Sequence, residues 1–484
     1  MKKLPVAALL LVVIAGFTRS GLAAKDEQYY PELQNDEDMR VLESEKNMLS
    51  SGFQYGAWIT PVFIFQEAPQ NKLTTLVTTF RVWMKTYLWD NSYLYLRGKD
   101  TYTAVLRERG VASARNKNVL DLDLGFIAMG MKRKAVNVTV GRKYFIIGSG
   151  LVLDGRGDGA EINFYSKYVN IKALGSWTGW LVKDDNPYGL SDRDIATGAK
   201  RVFAGGSAST EWFNQTLYCF GLAQFDYGKE YYNKDRQLTA LVAGQEEVFK
   251  YYSRRSHYNS QYYGAGLHGV ITSGLSYSGE FIMERGRSYL SGSTLLKDIL
   301  AYAGIVKMNY YINVLLKPVL MAQYAFGSGD ANRTDYRMPT GNRWAKDRGF
   351  IYFGSFVGGY ALKPLLANMH VISISAAASP FSWSTIFLLK NMTLIAKYHY
   401  YLKYKKFSPI NYGLDATRPD RDIGHGVDLS LRWLIFSDFS FFLNYGLFKP
   451  GTAFGYYYDY VNKILTYSSR SNRHFVMTGF NISF

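Results

Sequence analysis

Charged side chains recur at every second position along several short, otherwise apolar segments of this 484-residue chain. In a β-strand, alternate side chains point to the same face, so this spacing collects the charges on one side of a sheet. Charged rings of that kind line wide pores and select ions by sign. The candidate pore-lining residues are Arg81, Lys85, Arg97, Arg142, Lys172, Lys397, His399, Asp428 and Arg432. Cations predominate in this set, which favours an anionic solute.

The same alternation predicts further residues on the charged face. They are Lys99, Lys317, Asp121, Asp123, Glu161 and Glu280. We expect the segment from Leu120 to Phe126 to alternate without interruption, with its leucines and Phe126 on the apolar face. Arg142 is an exception, because it has the same parity as the apolar Val140. It can reach the charged face only through a bulge or a folded loop.

Catalytic and metal-binding patterns are weak. His399 and the nearby Thr393 show no spacing that demands nucleophilic catalysis. Ser149 lies in Gly-Ser-Gly, which is not the Gly-x-Ser-x-Gly turn of a nucleophile elbow. Asp154–Gly159 lacks the ligand spacing of a calcium loop, so we interpret it as a tight polar loop. We therefore expect no enzymatic activity, metal or cofactor, and we expect Cys219 to be an ordinary strand side chain.

The first residues have the layout of a secretory signal. Two lysines precede an apolar run, Val6–Phe17, and small residues follow it, so we predict a signal peptide over residues 1–24. Residues 25–51 are polar, and we predict a periplasmic N-terminal lead there, either a tail or a short helix. Whether this lead or a loop gates a passage stays open at this point.

The segment His474–Phe484 predicts a strand with an apolar face that ends on an aromatic residue. That face comprises Val476, Thr478, Phe480, Ile482 and Phe484. Such a strand resembles the assembly signal of bacterial outer-membrane proteins. The alternative is the edge strand of a soluble β-protein. Together with the predicted signal peptide, the segment favours the outer membrane of a Gram-negative bacterium.

Composition agrees with a barrel. Hydrophobic residues make up 48% of the chain, yet no segment after the signal offers the uncharged apolar run that a spanning helix needs. Forty tyrosines and nine tryptophans suit the aromatic girdles of a barrel. Removing the three cations of the signal lowers the net charge from +17 to +14. This surplus suggests an anionic partner, but an exported chain without a basic block or binding fingerprint disfavours nucleic acid.

We predict a single transmembrane antiparallel β-barrel over residues 52–484, with about 18 strands. The predicted strands lie near 53–67, 76–88, 92–103, 118–130, 134–143, 159–166, 168–180, 198–208, 212–227, 262–273, 276–288, 297–309, 312–327, 365–378, 388–402, 422–435, 438–448 and 474–484. Gly349–Tyr360 is a nineteenth candidate, but bacterial barrels have even strand numbers. We place it in a long extracellular segment, 328–364, and we expect another long loop at 144–158.

Four segments resemble the alginate-export family of outer-membrane porins. They are Val140–Gly159 (VGRKYFIIGSGLVLDGRGDG), Tyr398–Leu402 (YHYYL), Asn444–Phe454 (NYGLFKPGTAF) and Thr340–Ala378. The resemblance implies an 18-stranded barrel whose arginines line the pore. By resemblance, Arg81, Arg97, Arg142 and Arg432 are the candidate selectivity residues.

The leading hypothesis is an outer-membrane channel for an anionic solute. The family resemblance implies a specific case, the export of an acidic polysaccharide such as alginate. The alternatives are a general porin for small molecules, an outer-membrane hydrolase, and an adhesin whose loops, such as Tyr251–Tyr263, bind a surface partner. Expected partners are outer-membrane lipid and lipopolysaccharide, the barrel-assembly machinery and a periplasmic export scaffold. The sequence does not reveal the cargo, the direction of flow or the oligomeric state.

Overall fold

The computed structural model describes residues 52–68, 71–89, 91–109, 115–131, 135–190, 194, 197–228, 237–242, 245–250, 258–289, 296–333, 346–410, 419–454, 456–459, 464–467 and 471–484. The predicted signal peptide and periplasmic lead lie outside these residues. Within the described ranges, eighteen strands form one closed antiparallel sheet. No helix in the same ranges is long and apolar enough to cross a membrane.

The barrel strands follow one another in chain order. They are β1 (Phe53–Glu67), β2 (Lys72–Trp89), β3 (Ser92–Arg109), β4 (Lys117–Met131), β5 (Val136–Ile147), β6 (Leu153–Tyr165), β7 (Asn170–Trp177), β8 (Arg201–Trp212), β9 (Gln215–Asp226), β12 (Tyr258–Thr272), β13 (Leu275–Tyr289), β14 (Leu296–Tyr311), β15 (Val319–Gly327), β16 (Met369–Ala378), β17 (Met392–Lys403), β18 (Asp422–Leu434), β19 (Phe439–Pro450) and β22 (Arg473–Ser483). Two small hairpins lie in long connections: β10 (Gln237–Val242) with β11 (Gln245–Lys250), and β20 (Tyr456–Asp459) with β21 (Ile464–Tyr467).

Each of the eighteen predicted strands overlaps one barrel strand, so the fold prediction is confirmed. Each strand pairs with its neighbours in the ring, and β1 closes the barrel against β22 from Trp58↔Ser483 to Glu67↔His474. Most connections at one end of the barrel are short, as at 213–214 and 273–274, and the longest connections, such as 328–368, lie at the other end. In outer-membrane barrels the short turns are periplasmic and the long loops extracellular. Gly349–Tyr360 lies outside the barrel strands, as predicted.

As predicted, the strands have an apolar outer face and a polar inner face, with local exceptions. Leu120 and Leu122 are 76% and 48% exposed on the outer face, whereas Asp121 is buried on the inner face. The alternation breaks at Asp123, where the pairing of β3 with β4 shifts register between Arg97 and Gly98. This bulge turns Leu124 and Phe126 inward, so the predicted uninterrupted alternation over residues 120–126 is wrong.

Lys317 is a second correction, because it does not line the lumen. It lies in the short connection between β14 and β15, is exposed, and has a positive φ of 44°. The sequence prediction extended a strand through residues 312–318, but Pro318 supplies no backbone N–H for a ladder at that point. The lysine therefore faces the periplasmic side of the membrane.

Candidate functional site

The hairpin formed by β5 and β6 leaves the barrel wall part-way along its length. Strand β4 pairs with β5 only up to Arg142, and β7 pairs with β6 only down to Asp158. Beyond these points β5 and β6 continue to pair with each other up to Ile147↔Leu153. The predicted long loop at 144–158 is therefore mostly strand with a tight tip. The glycine-rich sequence that suggested a loop instead allows the hairpin to bend.

The hairpin leaves the barrel wall at Gly141. Its φ is +130°, a value that side chains rarely allow, and a Cβ there would lie 2.2 Å from the carbonyl oxygen of Gly125. Gly141 pairs with Gly159 on β6, where a Cβ would meet the carbonyl oxygen of Gly175 at 2.0 Å. The two glycines thus permit a close backbone approach on both sides. This irregularity brings Arg142 to the inner side although Val140 remains 47% exposed on the outer face.

The tip of the hairpin crosses the lumen and reaches the wall at β13. The backbone N–H and the hydroxyl of Ser149 donate hydrogen bonds to the two carboxylate oxygens of Glu280, at 2.7 and 2.6 Å. Tyr218 on β9 donates a third hydrogen bond to Glu280 at 2.8 Å. Glu280 belongs to the inner face, because its neighbour Phe281 is 53% exposed on the outer one. The hairpin is therefore tethered to a strand that it does not pair with.

The long connection after β15 folds into the same space. The backbone N–H of Ile351 donates to Glu284 on β13 at 3.0 Å, and Tyr262 on β12 donates to the Ile351 carbonyl at 2.8 Å. Farther along, Tyr401 on β17 donates to the Gly358 carbonyl at 2.6 Å. Residues 346–368, called the lumen loop below, thus extend from β12 and β13 to β17. The extracellular segment predicted from sequence lies inside the barrel over this stretch.

The hairpin and the lumen loop pack against each other. The N–H of Phe353 donates to the Val152 carbonyl at 2.9 Å, and Ser355 donates to Asp154 through its hydroxyl at 2.8 Å. A buried apolar cluster surrounds these contacts, with Phe145, Ile147, Leu151 and Leu153 from the hairpin, Phe203, Phe220 and Ile282 from the wall, and Phe350 and Phe353 from the lumen loop. Burying each such side chain contributes roughly 1.5–3 kcal/mol. The hairpin and loop are therefore held firmly, and they narrow the lumen.

The predicted arginines Arg81, Arg97 and Arg142 lie in a network of ion pairs. Arg97 Nε is 2.7 Å and Arg81 Nε is 3.6 Å from Asp123 Oδ2. Arg142 binds Asp158 through two parallel hydrogen bonds, at 2.8 and 3.0 Å, and contacts Asp121 at 3.1 Å. Bidentate pairs of this kind are strong and geometrically specific. Much of the charge of these arginines is therefore balanced locally.

Two further cations complete this network: Arg156, which the sequence prediction did not select, and Lys99, which alternation had placed on the charged face. Arg156, on the hairpin, contacts Asp121 at 2.9 Å and Asp123 at 2.8 Å, and it also pairs with Asp185. Lys99 on β3 pairs with Asp185 too. Asp185 lies in a one-turn 3₁₀ helix, Lys183–Asp185, within the connection between β7 and β8. Alternation could not identify Arg156, because its segment was interpreted as a loop.

The remaining predicted cations lie near the short turns. Lys172, Lys397 and Arg432 all face inward, since they pair in register with inner-face residues such as Asp428 opposite Lys397. Lys85 is buried, with its ammonium 4.5 Å from the ring centroid of Tyr93.

We define the periplasmic vestibule as the inward positions that lie no more than five residues from the periplasmic end of a barrel strand. Its charged residues in the described ranges are Lys85, Arg97, Lys172, Lys307, Lys397, Arg432, Glu161, Glu211 and Glu280. Cations outnumber carboxylates among them.

His399 and Asp428, both predicted, belong to a row of polar side chains across three strands. Ser373 Oγ lies 2.7 Å from His399 Nδ1, and His399 Nε2 lies 3.1 Å from Asp428 Oδ2. The backbone N–H of Tyr360 on the lumen loop donates to Asp428 at 3.1 Å. Sequence spacing gave no sign of this row, because its members come from β16, β17 and β18 and meet only through strand pairing. Here it anchors the lumen loop.

A family model described as alginate export matches residues 221–463, half of the chain. The chain belongs to the alginate export family. Among the segments that resemble this family, Tyr398–Leu402, Asn444–Phe454 and Thr340–Ala378 lie within the matched range, and Val140–Gly159 lies outside it. No curated protein sequence matches the chain.

Solved outer-membrane porins share the fold of this alginate export family member. OpdL of Pseudomonas aeruginosa is 9% identical with a TM-score of 0.53, over 89% of this chain and 98% of its own. OccAB1 of Acinetobacter baumannii is 8% identical with a TM-score of 0.53, over 90% and 98%. OprD of Pseudomonas aeruginosa is 10% identical with a TM-score of 0.51, over 90% and 97%. The protein is thus an outer-membrane β-barrel channel of the porin type.

Proposed function

We propose that this channel passes anionic solutes passively, and that its cargo is an acidic polysaccharide such as alginate. The observation that carries the proposal is the excess of cations over carboxylates in the periplasmic vestibule. Lysines on β7, β14 and β17 place this excess on well-separated parts of the ring. An anion would therefore meet a positive potential across the opening, and membership of the alginate export family supports the cargo class.

The ion-pair network changes which residues should matter. The structure pairs Arg81, Arg97 and Arg142 with carboxylates, so their contribution to the pore potential is reduced. Lys172 and Lys307 lie nearer to the periplasmic opening than these arginines do, and Lys397 lies as many residues from its strand end as Arg97. At physiological salt the screening length is about 8 Å, so only charges close to the permeating ion have much effect. We infer that the vestibule lysines set the anion preference more than the network arginines do.

Two triple variants test this assignment in planar bilayers. The vestibule variant carries Lys172→Gln, Lys307→Gln and Lys397→Gln. The matched control carries Lys167→Gln, Lys317→Gln and Lys390→Gln, which removes the same charge from exposed positions in the periplasmic connections. Reversal potentials should show a lower anion-to-cation permeability ratio in the vestibule variant only. Equal ratios in both variants would contradict the assignment.

The cargo class needs a separate test. An oligosaccharide of uronic acids, added on the periplasmic side, should block ion current more strongly than a neutral oligosaccharide of equal length. The block should weaken with rising salt, because it depends on charge. Equal block by both sugars would favour the alternative, a general porin for small molecules. A periplasmic export scaffold and the barrel-assembly machinery are further proposed partners.

A hydrolase is the second candidate, because Ser373, His399 and Asp428 form a row of the kind that activates serine nucleophiles. In this barrel each of the three side chains is at most 8% exposed, and the lumen loop covers the acid. A substrate would have to displace that loop to reach Ser373. We therefore favour the channel. Labelling of the folded protein by a fluorophosphonate, lost in Ser373→Ala, would support the hydrolase instead.

A further inference from the structure

Three histidines lie on the outer surface of the barrel at its extracellular end. His370, His425 and His474 occur within the first four residues of β16, β18 and β22, counted from the long-loop side. Each has the parity of lipid-facing neighbours; Ile372, for example, is 40% exposed two residues after His370. The three rings therefore face the membrane near its outer boundary. The channel function proposed above does not use them.

A tyrosine hydroxyl holds each ring by its Nδ1 atom. The oxygen–nitrogen distances are 2.8 Å for Tyr324 with His370, 2.6 Å for Tyr398 with His425, and 3.0 Å for Tyr445 with His474. A hydroxyl that donates to Nδ1 leaves the proton of a neutral imidazole on Nε2. Each ring can then donate a hydrogen bond from Nε2 towards the membrane boundary.

Stacked tyrosine rings and nearby cations also surround these histidines. Tyr404 stacks on His370 at 5.2 Å, and Tyr400 stacks on His425 at 4.8 Å, so both rings are held in fixed planes. Arg421 lies close enough to His370 to interact electrostatically with it. Lys449 is opposite His425 in register and is exposed on the same outer face. Fixed donors and cations at one level favour an anionic ligand.

The third histidine has a mixed environment. Glu67 faces His474 in the closing pair of strands, and Lys72 forms an ion pair with Glu67. Negative charge is therefore partly neutralised there. The strongest anion site should lie around His370 and His425, where the neighbouring charges are Arg421 and Lys449.

We propose that this surface, the histidine belt of His370, His425 and His474 with Arg421 and Lys449, binds the phosphate groups of lipopolysaccharide. The outer face of an outer-membrane barrel is covered by lipid, and at its extracellular end the headgroups of the outer leaflet meet the strands. Basic clusters at such a boundary recognise anionic headgroups. A phosphate oxygen would accept from Nε2 of a histidine and pair with Arg421 or Lys449.

The test uses the full chain, purified in detergent and freed of bound lipid. Lipopolysaccharide should raise its unfolding temperature, because a ligand that binds only the folded state stabilises it. Dephosphorylated lipopolysaccharide should produce little of that rise. In the variant His370→Phe/His425→Phe/His474→Phe, which keeps aromatic rings but removes the donors, most of the rise should disappear. The control His268→Phe changes a histidine on the inner face and should respond like the unmodified protein.

Three results would overturn the proposal. One is an equal rise with the dephosphorylated lipid, and another is an undiminished rise in the triple variant. The third is a change in oligomeric state in the triple variant, measured by analytical ultracentrifugation, which would assign the belt to contact between copies of the chain. Should the triple variant not fold, Arg421→Gln/Lys449→Gln replaces it, with the same loss expected and an undiminished rise again contradicting the proposal.

Discussion

Ser149, at the tip of the β5–β6 hairpin, donates two hydrogen bonds to Glu280 on β13, across the lumen. The two residues are 131 positions apart in the chain, and neither β5 nor β6 is a neighbour of β13 in the barrel. Their contact fixes the hairpin in a position that narrows the passage. Conduction should therefore depend on this tether.

Replacing Glu280 by alanine should loosen the hairpin. Hydrogen bonds to a charged group contribute about 1.5–3 kcal/mol each, so their loss should populate displaced positions of the tip more than tenfold. Single-channel recordings should show larger or more frequently fluctuating conductance. Glu211→Ala, which also removes one vestibule carboxylate, controls for the lost charge and should not show the added fluctuations. Identical traces for Glu280→Ala and the unmodified channel would mean that the tether does not control conduction.

The bend of the hairpin gives a second prediction. Gly141→Ala would place a methyl group against the Gly125 carbonyl at a φ of +130°, and such strain costs of order 1–3 kcal/mol. The variant should unfold at a lower temperature in detergent. Gly175→Ala is the matched control, since no atom lies within 4 Å of a Cβ built there. If both variants are equally stable, the departure of the hairpin does not depend on Gly141.

The ion-pair network should stabilise the barrel. Asp123→Asn removes the carboxylate that faces Arg97 and Arg156, and breaking a buried ion pair costs about 3–5 kcal/mol. The midpoint of unfolding in denaturant should fall accordingly. Lys117→Gln breaks the Lys117–Asp184 pair, whose side chains are 40% and 39% exposed, and should cost no more than about 1 kcal/mol. A small effect of Asp123→Asn would show that the network arginines are available to solutes instead.

Assembly of the barrel should depend on Phe484. This residue is 78% exposed on the outer face, and its backbone N–H donates to the Ala57 carbonyl at 2.8 Å. Deleting it should reduce the amount of heat-modifiable barrel in the outer membrane. Phe53→Ala changes another exposed outer-face aromatic at the periplasmic end and serves as the control. Normal amounts of the Phe484-deleted protein would contradict the prediction.

Sequence reasoning located the strands because lipid on one side and a polar lumen on the other impose a period of two on each strand. That period also placed Arg81, Lys172 and Lys397 correctly on the inner face. It failed where an extra residue enters a ladder, as at Asp123, since a bulge changes the parity without changing the composition. It could not reveal the partner of an inward charge either, because that depends on pairing between distant strands.

The inserted segments were harder to predict. Residues 144–158 are rich in glycine and charge, which is typical of an exposed loop, yet most of them form the strands of a hairpin inside the lumen. The lumen loop carries Phe350 and Phe353, whose apolar side chains indicate burial but not the surface that buries them. Only the folded barrel supplies that surface, through Phe203 and other wall residues.

The ion preference of the unmodified channel is the sharpest test of whether it passes anionic cargo. The measurement is the reversal potential of single channels in a planar bilayer that separates two concentrations of potassium chloride. The vestibule cations predict that chloride is more permeant than potassium, and that its advantage grows as the salt concentration falls, because screening then weakens. A reversal potential showing preference for potassium at low salt would contradict passage of anionic cargo and leave a general porin in its place.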